Sequence, residues 1–417
     1  MHQSRWFKFL VFGCLYLAQG VPHGFVQQTA PAILRERGYS LKTISMLGIF
    51  FLPWAFKFLW APLADRGAAG RGGRRTWILV MQSISILALL GLGFWQPDQI
   101  LAPFLAGIMV VSLAASMQDA ATDGFAVNLL DRKEIGWGNG IQIGGFWLGF
   151  VMGGGILLAL HPYLGWQRMM LAMAAVLLVA CLPLIWVQVT PAPQPDTKPV
   201  RIRDFTKRDF AWRLLAIIVL ARMSGGWARM LLNPMLVDMG YSLAEIGKMV
   251  GILGSIGALI GAAAGAFLAN PLGRRRALMT FVAVQIIPLL GYALVSLQGW
   301  QSSTILMPLI ALDHFANSLA TLAIFSLMMD WSSKRQGSTD YAFQDCMGIF
   351  GTMIVSMGAA WMAQSLAPDN PFQGYAITFI IGAISILATL WVLTKLFPSK
   401  KATAPEGLAA RLQPSST

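Results

Sequence analysis

Charge is what this chain has least of. Charged residues make up 12% of its 417 residues, roughly half the share of a soluble globular domain. Hydrophobic residues reach 56%. That deficit excludes a fold whose outer surface is covered by water and places the chain in a lipid bilayer. Acids are scarcer still, 18 against 31 lysines and arginines, for a net charge of +13. The basic residues lie in short loops between apolar runs, so membrane orientation accounts for them and no nucleic-acid partner is expected. The three cysteines, Cys14, Cys181 and Cys346, stand singly in or beside apolar segments. They have no metal-ligand spacing and read as small packing residues. Four histidines are scattered, and the chain lacks a catalytic triad, a P-loop and a dinucleotide fingerprint. No enzyme, cofactor or metal is therefore expected. Active transport by such a chain must draw on an ion or proton gradient, or on a partner.

What is present is long apolar runs. About 20 mostly apolar residues in helical form cross a bilayer core. Such runs lie near 8–32, 44–63, 76–95, 101–128, 138–160 and 167–188, and again near 210–232, 245–268, 276–297, 303–329, 342–364 and 373–397. The fold class predicted is an all-α membrane protein of twelve transmembrane helices. The first run follows Arg5 and Lys8 and is too long for a signal-peptide core, so it reads as an uncleaved span. A break between the two sets holds Pro191, Pro193, Pro195 and Pro199 with Lys198, Arg201, Arg203, Lys207 and Arg208. Proline discourages helix there, and charge keeps the segment in water. The organisation expected is a six-helix bundle over 1–189, a linker over 190–209, a second bundle over 210–398 and a tail over 399–417. Basic residues fill alternate loops, which puts the linker and both termini in the cytoplasm.

The chain also repeats itself. Gly38-Tyr39-Ser40-Leu41 returns as Gly240-Tyr241-Ser242-Leu243, and Gly73-Arg74-Arg75 returns as Gly273-Arg274-Arg275. A repeat that halves a hydrophobic chain points to two pseudo-symmetric bundles facing each other across a cavity, the architecture of a transporter. Glycines three and four apart, from Gly140 to Gly155 in the fifth run and from Gly247 to Gly265 in the eighth, mark close helix contacts. They read either as packing alone or as smooth faces on which the halves rock.

An ionisable side chain at membrane depth needs a partner, water or a function. Asp119 and Asp123, four apart, share one face of the fourth run with Ser116 nearby. They suit proton coupling or substrate gating, or else a structural pair with Lys57 or a loop arginine. Arg222 and Arg229 share a face of the seventh run. Arginine does not shed its proton, so Arg222 suits an anion, whereas Arg229 could also snorkel outward. His23 follows Pro22 near mid-depth, and Asp313 and His314 lie in the tenth run, the repeat mate of the fourth. These eight residues form the expected substrate and proton pathway. Asp65, Arg66, Arg74 and Arg75 form a gating loop that can latch a helix end through charge and dipole. Its second copy, with Arg274 and Arg275, has Asn270 where an acid belongs, which predicts a weaker latch.

The paired Asp-Arg and Gly-Arg-Arg loops resemble the signature of the major facilitator superfamily. Leu17-Ala18-Gln19-Gly20-Val21-Pro22, Lys57 to Arg66, Gln118 to Asp123 and Gly138 to Gln142 resemble the branch that holds AmpG-type muropeptide permeases and RhtX/FptX siderophore permeases. That resemblance implies proton-coupled import of a ferric siderophore or similar anionic chelate across a bacterial inner membrane by a monomer. Its partners would be the lipid bilayer and a small-molecule substrate. The alternative it implies is a muropeptide permease, and a sensor that binds without transporting is the third reading.

Overall fold

The computed structural model describes residues 4–37, 46–67, 73–95, 101–131, 133–187 and 200–397. The first Gly-Tyr-Ser-Leu copy, the linker prolines and the tail from 399 lie outside the described residues. A chain buried in hydrocarbon must satisfy its backbone polar groups internally, and helices do so within one segment. Among the described residues, nine helices are long and apolar enough to cross a membrane. One of them, Ile135–Ile185, has 51 residues, about 75 Å of helix and more than twice the bilayer core. Gly165, at φ 68°, breaks it into two spans. Two further candidates are bent pairs, Leu47–Ala55 with Lys57–Arg66 at 43°, and Ala211–Met223 with Gly226–Asp238 at 42°. Counting the long stretch as two spans and each bent pair as one gives twelve.

The first span is Arg5–Leu34, the second the bent pair from Leu47, and the third Gly73–Leu92. The fourth is Leu101–Leu129, and the fifth and sixth divide Ile135–Ile185. The seventh is the bent pair from Ala211, followed by Gly247–Leu272, Arg274–Gln298, Ser303–Trp331, Gly337–Leu366 and Pro371–Leu396. Two expectations change here. The second and seventh spans, read as continuous, are broken. The linker, read as non-helical, holds a short helix at Ile202–Thr206.

The repeated tetrapeptide is a helix-to-helix connector, as its second copy shows. Gly240 has φ 88°, a conformation that favours glycine. The Tyr241 and Gly240 amides donate to the Leu236 and Val237 carbonyls, closing the preceding helix in a Schellman motif. Ser242 and Glu245 then form a capping box: the Ser242 amide donates to Glu245 at 2.8 Å, and the Glu245 amide to Ser242 at 3.3 Å.

The described chain forms two compact units. One comprises Met1–Leu130, Ile141–Ile202 and Ser332–Cys346; the other comprises Asp131–Gly140, Arg203–Trp331 and Met347–Thr417. In the first unit, the first and fifth spans touch backbone to backbone. A Cβ at Gly20 or Gly24 would collide with the Phe146 or Phe150 carbonyl, and one at Gly149 or Gly153 with Leu17 or Val21. Both helices widen to π-helix at this contact, over Phe25–Thr29 and Met152–Ile156. The Thr29 hydroxyl donates to the Gly153 carbonyl at 2.7 Å. In the second unit, Gly257 and Gly261 let the eighth span approach the Ala311 and Phe315 carbonyls of the tenth.

Candidate functional site

The first unit gathers its charges around Lys57. The bend in the second span falls at Phe56, immediately before that lysine. A bend frees carbonyls that a bilayer leaves unsatisfied. Here the Ser116 hydroxyl of the fourth span donates to the Pro53 carbonyl at 2.7 Å, and the Cys346 thiol of the eleventh to the Trp54 carbonyl. Lys57 is 2% exposed. Its ammonium lies 2.8 Å from Asp119, 2.9 Å from Asp123 and 2.9 Å from Asp345. An ammonium has three N–H donors, so three carboxylates account for all of them. Tyr16 of the first span donates to the other oxygen of Asp123 at 2.9 Å. The Tyr341 ring stands 5.8 Å from the ammonium.

Full ionisation of this cluster would leave two negative charges in excess, all buried. Uncompensated buried charge costs several kcal/mol per ion. The arrangement is thus one lysine shared among three competing acids. The sequence brought Lys57, Asp119 and Asp123 together as possible partners and missed Asp345. Asp345 sits at the mouth of the eleventh apolar run, and only its turn spacing from Tyr341 on that helix would have drawn notice.

The gating loop also folds around buried charge. Asp65 is buried and accepts from Arg74, from the Ser338 and Thr339 amides at 3.1 and 2.7 Å, and from the Thr339 hydroxyl at 2.7 Å. Those amides open the eleventh span, where an anion complements the helix dipole. Arg74 further donates to Ser338 at 3.1 Å. Asn128, with its amide turned to suit both neighbours, accepts from Arg74 and donates to the Lys334 carbonyl at 3.0 Å. Arg75 donates to the Val187 carbonyl at 3.2 Å, and Arg66 is exposed.

In the second unit, the arginine of the repeated loop is paired as well. Asn270 donates to the Lys133 carbonyl at 3.0 Å, but Arg274 has an acid after all. Asp330, at the end of the tenth span, accepts from its Nε at 2.7 Å. The acid is supplied by a different helix. Arg275 donates to the Thr394 carbonyl at 3.3 Å and lies over the Phe397 ring.

The remaining candidates are spread out. Arg222 precedes the bend of the seventh span and stacks over Phe325 at 5.2 Å. Its carbonyl and that of Gly226 accept from Thr352 at 3.2 Å and Ser356 at 3.0 Å, again hydroxyls serving a broken helix. The Arg229 side chain lies outside the described residues. Asp313 and His314 are half-buried in the tenth span, with the His314 ring against Gly254. They are not the symmetry mates of Asp119 and Asp123. The fourth and tenth spans, Leu101–Leu129 and Ser303–Trp331, are both 29 residues long and start 202 residues apart. Asp313 therefore matches Val111, eight residues before Asp119 and twelve before Asp123, so the acids are out of register by about two to three turns. His23 lies among Phe51, Trp54, Phe146 and Phe150, with ring centroids 4.7–6.3 Å away.

Comparison with known proteins adds the following. The sequence profile of the Major Facilitator Superfamily matches residues 9–312. The chain is 30% identical over 365 residues to the anhydromuropeptide permease of Escherichia coli (strain K12), covering 84% of this chain and 73% of that one. Among solved structures, it is similar to a bacterial homologue of the iron transporter ferroportin in an outward-facing state, with a TM-score of 0.67, 16% identity, and 94% and 98% of the two chains covered. It is equally similar to the fucose:proton symporter of E. coli, with a TM-score of 0.67, 13% identity, and 95% and 100% covered.

Proposed function

The chain belongs to the major facilitator superfamily, and from that premise we propose that it imports a muropeptide-type cell-wall fragment, driven by protons. The observation that carries the cargo is the 30% identity to an anhydromuropeptide permease across most of both chains. The siderophore cargo expected from the subfamily resemblance has no counterpart among the relatives reported above, so the proposal takes the alternative. We place the protein in a bacterial inner membrane with both termini cytoplasmic, as the basic loops favour.

Asp119, Asp123 and Asp345 are the proposed coupling acids, and Lys57 is the cation they share. A proton taken by one acid removes one excess charge and frees one N–H of Lys57, which changes how firmly the second, fourth and eleventh spans are tied. Arg222 is proposed to contact a carboxylate of the cargo, with Arg229, Asp313 and His314 along the same path. Asp65, Arg74, Asp330 and Arg274 are proposed as gate contacts.

Uptake of labelled anhydromuropeptide into proteoliposomes, driven by an imposed inward proton gradient, tests this reading. Uptake above empty liposomes is expected, with loss of gradient-driven accumulation in Asp119→Asn and Asp123→Asn. Wild-type rates and undiminished uncoupler sensitivity in both variants would remove the acids from the coupling role. Uptake of ferric siderophore in place of the muropeptide would overturn the cargo.

A further inference from the structure

The rings around His23 are unused by the coupling cluster, yet they share its helices. The first span gives Tyr16 to the cluster and, seven residues on, His23 to the box. Seven residues are two turns, about 10 Å along the axis. The second span gives Lys57 to the cluster and Trp54 and Phe51 to the box. The fifth gives Gln142, 3.5 Å from Asp123, and then Phe146 and Phe150 at four and eight residues further. The His23 ring is set edge-on to Trp54 and Phe146, at 80° and 69°, and tilted against Phe51 at 55°.

Amides accompany the rings. Gln27, exposed and one turn beyond His23, lies 3.2 Å from its Nε2. Gln19, one turn before it, is 3% exposed, and its amide nitrogen has no hydrogen-bond partner. A buried amide left unbonded costs about 1–3 kcal/mol, which a ligand oxygen would offset. None of these seven residues is an acid, a lysine or an arginine.

We propose that His23, Phe51, Trp54, Phe146 and Phe150, with Gln19 and Gln27, form a sugar-binding subsite. It would hold one pyranose ring of the cargo against the rings by its C–H face. The negative face of an aromatic ring attracts polarised C–H groups, and a pyranose pairs such a face with a rim of hydroxyls. Gln19 and Gln27 serve that rim, since each amide both donates and accepts. Among the described residues of the box, an anionic chelate would find no lysine or arginine. Occupancy would fix the first, second and fifth spans together, two turns from the acids that the same helices hold.

The inference deepens the muropeptide reading and rests on it. Full-length protein in detergent is assayed by competition against labelled anhydromuropeptide. The probes are a peptide-free anhydro-disaccharide and a sugar-free stem peptide. Trp54→Leu and His23→Leu are expected to weaken disaccharide binding by about tenfold or more, with stem-peptide binding unchanged. Trp54→Phe, which keeps a ring, stays within about threefold of the wild type. It also guards against a folding artefact, because binding lost in Trp54→Leu and largely retained in Trp54→Phe isolates the ring at one position. Equal disaccharide affinity in all four proteins overturns the subsite and leaves the cargo standing. Failure of the wild type to bind intact anhydromuropeptide sinks the cargo, and the sugar assignment with it.

Discussion

Lys57 is the residue on which the most buried charge depends. Removing it leaves three carboxylates facing one another, whereas removing one acid leaves the lysine with two partners. Breaking a buried pair by deleting one partner costs about 3–5 kcal/mol, and Lys57→Met should reach that range. Asp345→Asn should cost far less, because the excess negative charge falls. Thermal unfolding in detergent should rank the variants in that order, with Lys57→Met partly rescued by adding Asp345→Asn. Equal losses would mean that the lysine is not the hub. The sequence made three of the cluster's four charged residues legible. Asp119 and Asp123 announce themselves by their spacing on an apolar helix, and Lys57 by its isolation. Asp345 was hidden because helix packing, not sequence proximity, brings it within 2.9 Å of Lys57. Likewise the acid of Arg274 was hidden because it comes from 56 residues away.

At the scale of single elements, the sequence showed where helices run but not where they break. Pro53 and the pair Gly225-Gly226 sit beside the bends of the second and seventh spans, yet Pro22 and Pro308 lie inside unbroken helices, so such residues alone did not mark the breaks. What makes those bends tolerable is hydroxyls on other helices, Ser116, Thr352 and Ser356, and these are invisible to any local pattern. The glycine runs were better signals. Gly149 meets the Leu17 carbonyl where a Cβ would collide with backbone, and backbone has no rotamer by which to yield. Gly149→Ala should therefore force the first and fifth spans apart and lower folded yield and thermal stability. Gly155→Ala, which meets only Val151 of its own helix at 3.9 Å, should change neither. Equal tolerance of both would make the glycine contact incidental. The capping box that opens the eighth span carries a pH signature. Hydrogen bonds from Ser242 hold Glu245 below the usual carboxylate range. A carboxylate with a lowered folded value stabilises above its unfolded value and loses that effect as pH falls through the folded one. Amide-exchange protection at the start of the eighth span should thus decline on acidification relative to Glu245→Gln, which has no such titration. Parallel pH profiles would exclude the box as the cause.

Across the whole molecule, the repeat survives in backbone while its charges trade places. Near Arg74, the acid is Asp65 and the fourth span contributes Asn128. Near Arg274, Asn270 stands in the Asp65 position, and the tenth span contributes Asp330, in register with Asn128 at the 202-residue offset. The asparagines even find matching partners, the carbonyls of Lys334 and Lys133. Each half thus keeps one arginine, one acid and one amide, with the acid and amide exchanged between helices. If the two arrangements are equivalent solutions, either half should accept the other's. Asp330→Asn alone leaves Arg274 facing only amides and should cost about 3 kcal/mol. Asn270→Asp added to it recreates the first half's pattern in the second and should recover more than half of that loss. Thermal unfolding of the wild type, both single variants and the double variant measures the coupling, and a double variant no better than Asp330→Asn would show that the loop position cannot reach Arg274. In that case the two halves would share a frame but not a latch, and only the Asp65 side, seated on the eleventh-span amides, could tie a gate to a helix dipole.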